Sequence, residues 1–372
     1  MADSAADAVT AQTMFNQAFQ YDSNPLLLAR GNKAVSGSLS SPELLVTGDM
    51  PTEHFDLDAR LDGNEYDLPG YSSLDTHNKA RFTEIGETWQ ATIAGTFDYD
   101  TTRTSEVLAS GINTAGIRHT GIGLQPQFQV NLSPLDILQV SPSYTRNLYA
   151  DTRLYNDYDY AGIAPLWQHA LTDLDTLQLG GQLGRYQARS GPSITIDNAG
   201  PSLGLGRRFS ERLSVSVNAG AQEMWFHYGL PLGLPDARTL GYTYSVTTTY
   251  QGQQDSLQLV AGRQPTPNAN GSENETTTVN ATAVHFVTTM LETDLTAIFQ
   301  HFDYTGVQAS RKAGLQREFI SLAPKILYHL TQALSVDLTY QYREKDVIAG
   351  ETGVSNVILM NFTYHPLAFS MR

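Results

Sequence analysis

The stretch that most constrains the fold is residues 121–144, GIGLQPQFQVNLSPLDILQVSPSY. Ile122, Leu124, Pro126, Phe128, Val130 and Leu132 occupy every even position, and Gly121, Gly123, Gln125, Gln127, Gln129 and Asn131 every odd one. Alternation with a period of two belongs to a β-strand whose two faces meet different surroundings. After Ser133-Pro134 a second strand repeats it: Leu138, Val140, Pro142 and Tyr144 against Gln139, Ser141, Ser143 and Thr145. The non-apolar face is neutral and small, without the Lys and Glu of a soluble sheet surface. It suits a wet interior, and the apolar face must then meet an oily medium.

The pattern recurs along the chain. Leu57, Ala59 and Leu61 oppose Asp56, Asp58, Arg60 and Asp62; Leu177, Leu179 and Leu183 oppose Gln178, Gly180 and Gln182. Val215, Val217 and Ala221 oppose Ser216, Asn218 and Gln222, and Leu338, Tyr340 and Tyr342 oppose Asp337, Gln341 and Arg343. About eighteen such strands are expected, with sixteen left open. Short links (SP, TDLD, SE, QGQQ, ET, TQ) alternate with polar loops of about ten residues or more, among them residues 265–275, the asymmetry of an outer-membrane barrel. The expected fold is therefore an all-β, antiparallel, up-and-down transmembrane barrel over residues 13–372, preceded by a flexible segment 1–12, in the bacterial outer membrane. Its short turns face the periplasm and its long loops the exterior. Closing the sheet removes edges that so many strands would otherwise expose.

Composition agrees. The 372 residues are 41% hydrophobic, and no run of about 18 apolar residues exists to span a bilayer as a helix. There is no cysteine, which excludes disulfides and thiolate chemistry. The formal net charge of −15 argues against nucleic acid as a partner. The N-terminus MADSAADAVT lacks the basic and apolar regions of a secretory signal and is expected to be a mature end.

Aromatic residues near strand ends, including Tyr144, Tyr149, Trp225, Phe226, Tyr228, Tyr304, Tyr340, Tyr342 and Tyr364, are expected to form interfacial girdles. Pro126, Pro142, Pro165, Pro201 and Pro324 lie inside strands, so bulges or ladder breaks are expected there.

No catalytic constellation is legible. The nine histidines are scattered, no nucleophile elbow is present, and 56–67 lacks the calcium-loop register. The expected reading is not an enzyme, with no cofactor and no metal. The residues expected to line a solute path are Asp56, Asp58, Arg60, Gln125, Gln127, Gln129, Asn131, Gln139, Gln178, Gln182, Asn218, Gln222, Asp337, Gln341 and Arg343.

Two motifs, YDSNP at residues 21–25 and FDYDTTRTSE at 97–106, resemble those of the outer-membrane β-barrel family encoded in exopolysaccharide biosynthesis and export loci (β-barrel porin 2, EpsL-like). The resemblance implies a barrel that passes a polysaccharide and works with periplasmic or inner-membrane export machinery, the lipid bilayer being its other partner. It brings no catalytic residues. The expectation is an export conduit for an exopolysaccharide, of neutral or weak charge given the lumenal aspartates. The alternatives are a diffusion porin for small solutes, with 101–119 as a constriction loop, and a plugged barrel with an enzymatic or structural role.

Overall fold

A computed structural model describes residues 8–103, 106, 116–191, 193–229, 234–269, 271–305, 318–347, 351–366 and 369–371. Its strands are β1 (Ala8–Asp22), β2 (Val35–Asp49), β3 (Glu53–Tyr66), β4 (Ser73–Ile85), β5 (Trp89–Thr101) and β6 (Arg118–Asn131). Then follow β7 (Asp136–Tyr149), β8 (Tyr158–Ala170), β9 (Asp175–Ala188), β10 (Ile194–Arg208), β11 (Leu213–Tyr228) and β12 (Ala237–Gln251). The last are β13 (Asp255–Asn268), β14 (Ser272–Phe286), β15 (Leu291–Tyr304), β16 (Glu318–His329), β17 (Leu334–Val347), β18 (Glu351–Tyr364) and a short β19 (Phe369–Met371). Each of the eighteen long strands pairs antiparallel with its sequence neighbours, and β1 closes the ring on β18, Phe15 opposite Tyr364 and Asp22 opposite Val357. The three residues of β19 pair with Val9–Ala11 of β1, below the stretch held by β18. The chain is a closed eighteen-strand antiparallel barrel.

The strands are 12 to 16 residues long. At about 3.3 Å per residue and a tilt of about 40°, they stand roughly 30–40 Å tall, more than the apolar band of about 25 Å that a bilayer requires.

The eight turns at one end have three or four residues. Five share a chemistry that the sequence encodes: an apolar residue, then Ser or Thr (Ser133, Thr172, Ser210, Thr288, Thr331), whose hydroxyl oxygen accepts the amide two residues on at 3.1–3.2 Å. The side chain satisfies backbone donors that a tight turn leaves free.

At the other end the nine connections range from 3 to 16 residues, so the expected uniform length of about ten or more does not hold. Residues 265–275, read as a long polar loop, are two strand ends joined by a three-residue turn, with Gly271 in the left-handed region at φ 76°. Polar composition misled because a strand with a wet interior needs no apolar residue on its inner face. The stretch 101–119 falls largely outside the described residues.

The prolines produce ladder breaks and no bulges. The β6–β7 pairing lapses between Leu124–Tyr144 and Phe128–Val140 and resumes in the same register, with Pro126 opposite Pro142 inside the gap. Matching gaps surround Pro165 between β8 and β9, Pro201 between β10 and β11, and Pro324 between β16 and β17. Pro42 does the same between β2 and β3. A proline N cannot donate, so two successive residue pairs are lost to one neighbour, three where Pro126 faces Pro142, and the register does not shift.

Candidate functional site

Register divides each strand into two faces. Phe15, Phe19, Leu44, Leu61, Phe82, Ile93, Ile122, Leu124, Phe128, Leu179, Leu203, Leu338 and Ile358 all share the outer parity and are exposed. They form an apolar belt around a barrel, the surface expected of strands whose solvent is lipid. Toward the loop end the outer face turns charged: Arg185 donates to Asp197 at 2.6 Å, and Arg238 pairs with Glu223. The strands therefore rise past the belt on that side.

All fifteen residues expected on the solute path share the opposite, inner parity. The inner wall is not uniform. Among the described residues, and apart from the inward-leaning segment 263–275, the wall positions of β6 to β14 carry no inward carboxylate, and besides His119 the basic side chain there is Arg208 at the end of β10. The charges gather on β2–β5 and β15–β17. Glu43, Asp56, Asp58, Arg60 and Asp62 stand beside His77, Lys79, Arg81 and Asp98, and Asp294 holds Lys325 at 2.5 Å. Half of the lumen is an arc of amides, hydroxyls and glycines; the other half is ionic and predominantly acidic.

These fifteen residues fall into separate groups. Gln139, Gln178, Gln182 and Asn218 come together around one cavity of about 280 Å³ on the neutral arc. Gln125, Gln127, Gln129 and Asn131 continue the arc on β6, and Gln222 is buried above it, with neither amide atom hydrogen-bonded in the structure. Gln341 Nε2 donates to Ser321 at 2.9 Å, Asn361 Nδ2 donates to Asp337 at 3.0 Å, and Arg343 binds Asp22.

The mouth at the loop end is narrowed from two sides. β12 and β13 stay paired only as far as Tyr244–Arg263, while β13 and β14 stay paired to Asn268–Ser272. The free β13–β14 tip leans inward over the inner face of β9 and β10 and the loop at 150–157. Tyr186 OH donates to the Asn268 carbonyl at 3.1 Å, and the Asn156 amide donates to the Ala269 carbonyl at 2.7 Å. Asn198 Nδ2 donates to both oxygens of Glu273, at 3.1 and 3.0 Å, and Glu273 is fully buried. At the root of the tip, Arg263 pairs with Glu275 and, at 2.6 Å, with Asp303, its guanidinium 4.9 Å from the Tyr242 ring.

The tip packs on a buried cluster of Tyr149, Tyr155, Tyr158, Tyr186, Ile194, Ile196, Met224, Phe226 and Ala269. Tyr149 and Phe226 were expected in an outer girdle; they point inward, and Tyr228 packs against them. Parity carried the signal, since Phe226 shares a face with Gln222 and Tyr149 with Gln139. On the ionic side, Leu27, in the left-handed region at φ 50°, is buried against Phe319.

Both motifs of the family resemblance are structural ties at this end. In YDSNP, Asp22 accepts from Ser355 at 2.6 Å and binds Arg343, while Asn24 Nδ2 donates to the carbonyls of Leu28 at 2.8 Å and Val354 at 3.0 Å. In the second motif, His77 Nδ1 lies 2.8 Å from Asp98, and His119 Nδ1 lies 2.9 Å from Asp100. Glu106 accepts from Tyr149, and Arg103 stacks on Tyr66. Seven of the nine histidines sit beside a carboxylate: His54, His77, His119, His169, His227, His285 and His301. No group of three metal-ligating side chains occurs among the described residues. In the loop at 150–157, hydrogen bonds from Arg153 hold the Asp151 carboxyl down to about 2.

No family model matches the chain, and no curated protein matches its sequence. Several solved bacterial outer-membrane proteins are similar to it. The protein OpdK from Pseudomonas aeruginosa is 12% identical, with 98% of this chain and 99% of that one covered and a TM-score of 0.49. DcaP of Acinetobacter baumannii gives 12%, 98%, 99% and 0.48. Pseudomonas aeruginosa OccK2 (OpdF), solved in complex with glucuronate, gives 12%, 98%, 100% and 0.48. The fold assignment rests on the barrel's own strand pairings.

Proposed function

We propose that the chain is a bacterial outer-membrane channel through which small hydrophilic solutes diffuse. The supporting observation is a closed eighteen-strand barrel with apolar residues outside and polar residues inside. Barrels of 16–18 strands are wide enough to keep an aqueous bore, where eight-strand barrels fill theirs with side chains. The inward β13–β14 tip and the buried Leu27 narrow that bore at one mouth, which favours small solutes over a bulky polymer. The bilayer is the partner this reading needs, and it assigns no catalytic residue. Purified protein in planar bilayers should give stepwise ionic conductance. Absence of any conductance from correctly folded protein would overturn the reading.

An export conduit for a neutral polysaccharide, served by a periplasmic or inner-membrane apparatus, is the second reading. The neutral arc favours it, since amides and hydroxyls offer weak, multiple contacts that release a moving chain. Secretion unchanged after gene deletion would eliminate it.

A further inference from the structure

The cavity on the neutral arc has the build of a ligand site. It spans β7 to β13, and its hydrogen-bonding groups are all neutral except Arg263. Both terminal nitrogens of Arg263 are engaged by Glu275 and Asp303, so the cavity offers no free charge. An ion entering it would lose water without gaining a counter-charge. Amides and hydroxyls both donate and accept, which matches a solute whose own groups do the same. Gln139 Nε2 already orients Ser141, donating to its hydroxyl at 3.0 Å. Gln182 Nε2 is shielded and has no hydrogen-bond partner in the structure; a small rotation of its amide about χ3 turns this unused donor into the cavity.

The concavity is built by glycine. A Cβ on Gly180 would stand 2.9 Å from Ser202 Oγ and fill the floor. Leu166 supplies an apolar patch beside these polar groups, suited to the C–H face of a ring.

We propose that this cavity is a binding subsite for an uncharged polyhydroxy solute of monosaccharide size. It rests on the channel reading above and adds a ligand class and a location. Gln178, Gln182 and Asn218 carry the hydrogen bonds, with Leu166 under the ring. The contacts are weak and several, so the solute is retained and then released toward either mouth.

The test is single-channel current in planar bilayers with glucose as the probe and an ethylene-glycol oligomer of similar size as the inert control. Glucose should reduce the current of the native channel saturably, and the oligomer only in proportion to concentration. The double variant Gln178→Leu/Gln182→Leu should weaken the glucose effect about tenfold, the loss expected for two hydrogen bonds. Gln182→Glu, of nearly the same shape, guards against misfolding and should also weaken it. A conducting channel in which glucose acts no differently from the oligomer, or in which both variants block like the native protein, overturns the subsite and leaves the channel intact. A channel that does not conduct at all overturns both.

Discussion

Replacing Asn198 by Leu should unseat the β13–β14 tip and widen the mouth. Glu273 is fully buried, and one amide nitrogen serves both of its oxygens at 3.1 and 3.0 Å. In the variant the carboxyl group keeps its burial and loses that donor. Leaving a buried polar group without its hydrogen-bond partner costs about 1–3 kcal/mol. Taking that range for this one contact, the ratio of seated to unseated tip falls roughly 5- to 150-fold. The Tyr186–Asn268, Asn156–Ala269 and Arg263–Glu275 contacts remain, so the tip should fluctuate, not leave permanently. Planar-bilayer recordings at neutral pH should show a higher mean conductance or frequent excursions to a larger level. If the conductance histogram and open-channel noise match those of the native protein while the melting temperature falls, the tip does not set the bore and the reasoning fails.

Arg343→Met should strand Asp22, which is 2% exposed, and lower stability by about 3 kcal/mol in a thermal or denaturant melt. The triple change Asp56→Asn/Asp58→Asn/Asp98→Asn should move the reversal potential in a KCl gradient toward anion permeation; an unmoved potential would mean that β3 and β5 do not face the ion path. Pro165→Ala should supply the missing donor to β9 and produce a slowly exchanging amide at residue 165, with little change in melting, because the proline's advantage in the unfolded chain is lost. Thr331→Ala removes the acceptor for the amides of Ala333 and Leu334, at 3.1 and 3.0 Å, and should cost about 1 kcal/mol by the same melt.

The barrel was legible in the sequence because each strand writes its two faces separately. The rows around Gln125 and Leu124, or Asp337 and Leu338, fall on the faces that alternation assigns them. The mouth was less legible. Tyr149 and Phe226 satisfy a girdle and a buried cluster equally well by type, and only their parity tells the two apart. Residues 265–275 are polar both as a loop and as an inward hairpin, and composition does not separate those cases. The anchor between Asn198 and Glu273 joins residues 75 apart in sequence, with no local signature. The division of the lumen into neutral and ionic halves is written strand by strand, yet it becomes visible only when the ring closes β1 on β18 and brings β15–β17 and β2–β5 into one arc.

That division also bears on how a molecule travels. Acidic and basic groups on one side of a bore, facing amides on the other, place an electric field across the direction of transit. A solute with separated charges experiences a torque there: its positive end turns toward Asp56, Asp58 and Asp98, and its uncharged part toward β7–β13. In the channel proposed above, the barrel would fix rotation as well as position, and two molecules of equal size and net charge would pass at different rates because only one presents its groups in the order the walls require.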